Sequence, residues 1–130
     1  MKLRTLILAS LCLSVLSYGP QVFAQRVTPL KAINFLKICK NNKSLAMCDA
    51  YISGIADSVA YAKIFAKNQN DTQAPVGFCI VPSTKGREMR QKVIAWMENH
   101  SDKLGQPAGE VVFTALHEAY PCKMTMGENR

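Results

Sequence analysis

Beyond its first 24 residues this chain carries an even set of cysteines, Cys39, Cys48, Cys79 and Cys122, and that set limits its possible folds more than any other feature. An even count in a short chain that opens on an export signal reads as a disulfide framework formed in an oxidising compartment. The signal itself is legible. Lys2 and Arg4 make a basic head, Leu6 to Leu16 is an apolar run, and Val22-Phe23-Ala24 offers a small-residue cleavage site before Gln25. The fifth cysteine, Cys12, falls inside this leader, and Ala9-Ser10-Leu11 before it does not form the approach of a lipoprotein cleavage site. A membrane span needs about 20 apolar residues, which neither this run nor any later one supplies. The expectation is a signal peptide over 1–24 and a soluble periplasmic product over 25–130.

The product is long enough for one domain and too short for two. A chain of this size buries only about two-thirds of its unfolded surface, so covalent staples carry weight. The full sequence has a formal charge of +7, and the leader holds two of its basic residues, which leaves about +5 on the remainder. The lysines and arginines are dispersed from Lys31 to Lys92 without a block, and the aromatics are not interleaved with them. That pattern suits solvated helix faces and argues against a nucleic-acid partner.

Periodicity predicts an all-α fold, a small single-domain bundle of about four helices with two disulfides. Thr28-Pro29 reads as an N-cap with proline at the first helical position, followed by Leu30, Ile33, Leu36 and Cys39 on one side. After the polar stretch 40–44, Met47, Ala50, Tyr51, Gly54, Ile55, Ser58, Val59, Ala62 and Ala66 repeat at spacings of three and four, the best-patterned helix of the chain, and such stripes suit one small core as well as a core plus an interface. Residues 68–75 form an exposed loop, 76–81 a buried extended piece. A third helix starts near Ser83 or Thr84 and turns Met89, Val93, Trp96 and Met97 inward. A polar loop, His100 to Gln106, precedes a last helix opened by Pro107, whose stripe is Ala108, Val111, Val112, Ala115, Leu116 and Ala119. Pro121 ends it, and the tail 123–130 is expected to fray.

Four cysteines allow three connectivities. Spacing favours Cys39 with Cys48, across the junction of the first two helices, which leaves Cys79 with Cys122. Closing the second loop is worth about 3–4 kcal/mol in the chain-entropy model. A four-cysteine zinc site would usually contain a close C-x2-C pair, and the sequence has none, so no metal or other cofactor is expected. Catalysis is equally unsupported. With its cysteines paired the chain has no thiol nucleophile, His100 and His117 lack an arranged partner, and Glu88, Glu98, Glu110 and Glu118 sit at polar helical positions. No phosphate loop, H-E-x-x-H or G-x-S-x-G occurs. The chain does not read as an enzyme.

The ordered set Cys48-x2-Tyr51-Ile52-x-Gly54-x2-Asp57, Phe78-Cys79-x2-Pro82, a tryptophan-bearing helix, Asn99-His100-Ser101-Asp102, Pro107-Ala108 and Tyr120-Pro121-Cys122 resembles the Rap/Tai family of periplasmic immunity proteins. The likeness covers nearly the whole of 25–130. One departure is Ser101, where many relatives carry proline after the histidine. The resemblance implies a small helical protein with internal disulfides, often a homodimer, that binds a cognate peptidoglycan amidase effector of type VI secretion, a papain-like cysteine amidase, and covers its cleft, so preventing self-intoxication. Such a protein needs a rigid scaffold and an exposed wedge. Ser101, Asp102, Lys103 and Leu104 are the preferred effector-binding residues, because helix ends flank their loop. Asn68, Gln69, Asn70 and Asp71 are the second candidate loop. Gly54 and Asp57 suit helix packing and local hydrogen bonding better. The competing class is a small periplasmic stress chaperone, which would expose apolar surface on protonation and would be expected to carry more carboxylates than this basic chain.

Overall fold

A computed structural model describes residues 27–75 and 77–122. The leader 1–24, Cys12, Val76 and the tail 123–130 therefore lie outside the described residues. Four α-helices follow in chain order: α1 Ala32–Lys40, α2 Leu45–Asn68, α3 Gly86–Asn99 and α4 Ala108–Ala119. Short 3-10 turns at Asn42–Ser44 and Ser101–Lys103 precede α2 and α4. No strand occurs among the described residues; the one extended pairing found there is an antiparallel bridge between Lys31 and Pro107.

That bridge explains the first departure from the sequence expectation. Thr28-Pro29 does not cap α1. Lys31 is still extended, with φ −82° and ψ 146°, and the helix starts at Ala32. The segment before α1 is drawn straight by pairing with the entry to α4: the Ala108 amide donates to the Leu30 carbonyl at 2.7 Å. The start of α3 shifts for a local reason. Pro82 and Ser83 sit at the centre of a turn closed by the Thr84 amide on the Val81 carbonyl, 3.0 Å, so the helix waits until Gly86.

The core lies where the four helices meet, and its largest fully buried side chains include Phe35, Ile52, Met97 and Leu116, with Val93, Val111 and Val112 among them. The inward faces of α3 and α4 are as read from the sequence, except that Trp96 and Ala119 are only half-buried. On α1, Ala32, Phe35, Leu36 and Cys39 point inward while Ile33 is exposed. On α2 the positions that repeat at helical spacing divide between core and solvent. Met47, Ala50, Gly54, Ser58 and Ala62 are exposed, and the buried positions are Cys48 and Ile52, with Ile55, Ala56 and Val59 packed partly against the core. The helix is apolar or small on two sides, so spacing alone could not say which side is covered.

Both cysteine pairs bond as spacing suggested, Cys39 to Cys48 and Cys79 to Cys122. The first fixes the junction of α1 and α2. The second ties the extended segment after α2 to the end of α4, where the Cys79 amide also donates to the Tyr120 carbonyl, 2.9 Å. Gly77 packs closely beside it: a Cβ there would come within 3.1 Å of the Phe113 ring and 3.2 Å of Val59, and those side chains would have to give by a few tenths of an ångström.

Arg90 of α3 pairs with Asp49 in the first turns of α2, and Asp49 Oδ1 is buried without a hydrogen-bond partner among the described residues. Removing the guanidinium strands a carboxylate that is already poorly solvated. Arg90→Met is expected to destabilise the fold by about 2 kcal/mol in denaturant titration. Loss of the exposed pair Lys40–Glu98 should cost no more than about 0.5 kcal/mol.

Candidate functional site

The preferred loop is built from three helix ends. α3 stops at Asn99, and His100 closes it by a bond from its amide to the Met97 carbonyl at 3.4 Å. The His100 ring lies stacked on Trp96, with centroids 4.0 Å apart, and its Nδ1 sits 2.8 Å from the Trp96 carbonyl oxygen. Trp96 is held in turn by Nε1 donating to Glu118 of α4 at 2.6 Å. The chain then makes one 3-10 turn, with Lys103 N bonded to His100 O at 3.0 Å and Gln106 N to Lys103 O at 3.0 Å.

The opposite side of the loop faces α1. Helices leave their first amides without partners, and α1 has no side-chain cap. The loop's carbonyls fill that role: Ala32 N donates to Gln106 O and Ile33 N to Leu104 O, each at 2.9 Å. Ser101, Asp102 and Lys103 therefore project into solvent from a backbone anchored on both flanks. Lys103 Nζ lies 3.5 Å from Asp102 Oδ2. Leu104 is placed differently from these three. It is half-buried against the core, so it braces the loop as well as belonging to it.

The second candidate loop caps α2. Asn70 adopts a left-handed φ of 54°, Asn70 N donates to Lys67 O at 3.1 Å, and Asp71 N reaches back to Ala66 O at 2.9 Å. This is the Schellman arrangement, with asparagine where glycine is commonest. Gln73 N then bonds Asp71 Oδ1 at 2.9 Å, an Asx turn. Gln69, Asn70 and Asp71 are exposed, and Asn68 is the last helical residue. Together with Ala62, Ala66, Ala74 and Pro75 this loop lines a groove of about 600 Å³. Among the described residues its hydrogen bonds are local, to α2 itself or within the turn, whereas the 100–106 loop is bonded to other elements. The two loops occupy separate helix ends.

Other features were not foreseen from the sequence. The outer side of α2 leaves Met47, Tyr61, Ile64 and Phe65 in solvent. Lys63, on its other side, reaches the Phe78 carbonyl and the Cys79–Cys122 bridge. His117 bonds the Gly77 carbonyl through Nδ1, which accounts for it as a brace of the extended segment. Among the described residues no group of three or more His, Cys, Asp or Glu side chains is placed to hold a metal ion, and no helix is long and apolar enough to cross a membrane.

A helical scaffold with two cross-links and an exposed, backbone-braced loop defines a binding protein in class. Residues 31–122 match the family model of the Rap1a immunity proteins, and the chain belongs to that family, whose members protect against secreted effectors. Neither curated proteins nor solved structures yield a match.

Tyr120 links α3 to the end of α4 by donating to Glu88 at 3.2 Å, with Lys92 Nζ 4.8 Å from its ring centroid. Burial first, then the hydrogen bond and negative charge of Glu88, push its phenol up to about 12. An unfolded tyrosine ionises near its ordinary value of about 10. The unfolded chain therefore loses the proton first, and the contribution, complete below pH 10, fades as pH rises towards 12. Thermal melts across this window should show a decline that is shallower in Tyr120→Phe. A decline of equal slope in the variant would show that other groups cause it.

Proposed function

We propose that this chain is a periplasmic immunity protein that binds a peptidoglycan amidase delivered by type VI secretion and seats the 100–106 loop in its cleft. The observation that carries the choice of loop is its bracing. Leu104 and Gln106 are tied to α1, His100 is stacked on Trp96, and Ser101, Asp102 and Lys103 remain free to meet a partner. A wedge already held in shape avoids most of the ordering cost of binding. In a papain-like amidase the cleft holds a cysteine and a histidine, and Asp102 supplies the negative charge that suits an imidazolium. Family membership and the export signal at Lys2 to Ala24 support the compartment and the protective role. The protein itself acts by binding, without catalysis.

The homodimer is proposed through the outer face of α2. Met47, Tyr61, Ile64 and Phe65 are 62%, 71%, 55% and 67% exposed. Two copies of this face would remove on the order of 1,000 Å² from water, the lower end of a specific interface. The face is also self-complementary. Ala46, Ala50, Gly54 and Ser58 repeat every fourth residue, and a Cβ added at Gly54 would meet nothing within 4 Å. Antiparallel pairing about an axis near Ile55 sets Tyr61 over the partner's Ala50 and Phe65 over the partner's Ala46. Phe65→Asp should convert a sedimenting dimer to a folded monomer; a wild-type chain that sediments as a monomer overturns this part.

The function is tested by co-expressing the full chain with an exported amidase encoded beside it. Protection from lysis and co-elution of the purified pair are expected, and the absence of both overturns the reading. Asp102→Ala combined with Lys103→Ala should weaken the complex by about tenfold or more. Both side chains are exposed, so unfolding free energy should change by less than about 0.5 kcal/mol. Leu104→Ala should lower both affinity and stability, since that side chain packs on the core.

A further inference from the structure

The two disulfides stand in different chemical surroundings. Cys39 and Cys48 are 2% and 0% exposed, enclosed by the core. Cys79 is exposed and Cys122 half-buried. The ammonium of Lys63 sits against this second bridge, 3.2 Å from Cys79 Sγ and 3.6 Å from Cys122 Sγ, and is held there by the Phe78 carbonyl. It makes no salt bridge among the described residues. A cation beside a sulfur stabilises the thiolate over the thiol, and a stabilised thiolate leaves more readily from a disulfide.

We propose that Cys79–Cys122 is a thiol–disulfide exchange site for a dithiol reductant, with Lys63 as its positioning residue, while Cys39–Cys48 is a structural bridge closed to exchange. A thiolate of the reductant attacks the exposed Cys79 Sγ. A mixed disulfide forms, the Cys79–Cys122 bond breaks, and Cys122 departs as a thiolate facing Lys63. The reductant's second thiol, as its thiolate, then attacks its own sulfur in the mixed disulfide and releases Cys79 as a thiolate beside the same ammonium. The protein gains two electrons and, after protonation, two thiols; the dithiol is oxidised to its disulfide. Reduction removes the covalent tie between segment 77–80 and the end of α4, leaving the Cys79–Tyr120 backbone bond and the His117 contact to hold it. The site therefore offers the cell's thiol chemistry a means of loosening one side of the molecule while α1 and α2 stay stapled. This inference does not depend on which effector is bound.

The test treats the folded, oxidised chain with graded dithiothreitol, quenches with acid, alkylates and locates the labels by peptide mass spectrometry. Cys79 and Cys122 are expected to label at least about tenfold faster than Cys39 and Cys48. Lys63→Met should slow labelling of Cys79 and Cys122 several-fold, and Lys63→Arg should restore much of the rate, with circular dichroism checking that each variant is folded. Simultaneous labelling of all four cysteines, or earlier labelling of Cys39 and Cys48, overturns the exchange site. An unchanged rate in folded Lys63→Met overturns the role of Lys63.

Discussion

The first turn of α1 has amides to satisfy and no side chain to satisfy them. None of the four α-helices has a side-chain N-cap hydrogen bond. For α1 the partners come from a remote part of the chain, the carbonyls of Leu104 and Gln106. Unpaired buried amides cost as much as lost hydrogen bonds, so the start of α1 and the shape of the 100–106 loop are set together. The same clasp returns through Leu30, whose carbonyl receives the Ala108 amide at the start of α4. Entry segment, loop and two helix starts thus form one backbone unit, which holds an exposed stretch whose only regular structure is the single 3-10 turn Ser101–Lys103.

This unit also accounts for what the sequence could and could not reveal. Helix number, the all-α class and both cysteine pairings were legible, because apolar spacing in α3 and α4 is one-sided and because Cys39 and Cys48 flank a short junction. The start of α1 was misread since Thr28-Pro29 is a sound local cap, and only the long-range pairing of Lys31 with Pro107 overrides it. Which side of α2 is covered was not legible, for a different reason. Cys48, Ile52, Ile55 and Val59 make one covered side, while Met47, Tyr61 and Phe65 continue an apolar or small-residue side that nothing within the described residues covers. A helix that is apolar or small on two sides has no single polar face to orient it.

The candidate loop was legible as a position and not as a mechanism. Its polar residues between two helices marked it as exposed, and Ser101, Asp102 and Lys103 are exposed. Leu104 was read with them as an effector-binding residue, yet its side chain packs partly against the core and its carbonyl holds Ile33. The stack of His100 on Trp96 had no signal beyond two aromatic residues one helical turn apart, which is as common on solvated surfaces as in braces. Lys63 carried no signal at all, because its partners are a backbone carbonyl and two sulfurs from distant segments.

These placements divide the molecule between its two cross-links. The buried Cys39–Cys48 bridge lies beside Phe35 and Ile52 in the core, where it fixes the angle at which α2 leaves α1. The clasp then builds the loop on α1's opposite end, so the loop inherits the rigidity of the most protected bridge. The Cys79–Cys122 bridge supports instead the segment that packs against the second half of α2, whose outer side carries Tyr61, Ile64 and Phe65. Loss of the exposed bridge would therefore disturb the support behind the α2 face before it reached the loop. The proposed binding through the loop and the proposed association through α2 would rest on separate cross-links, so a change in one need not abolish the other.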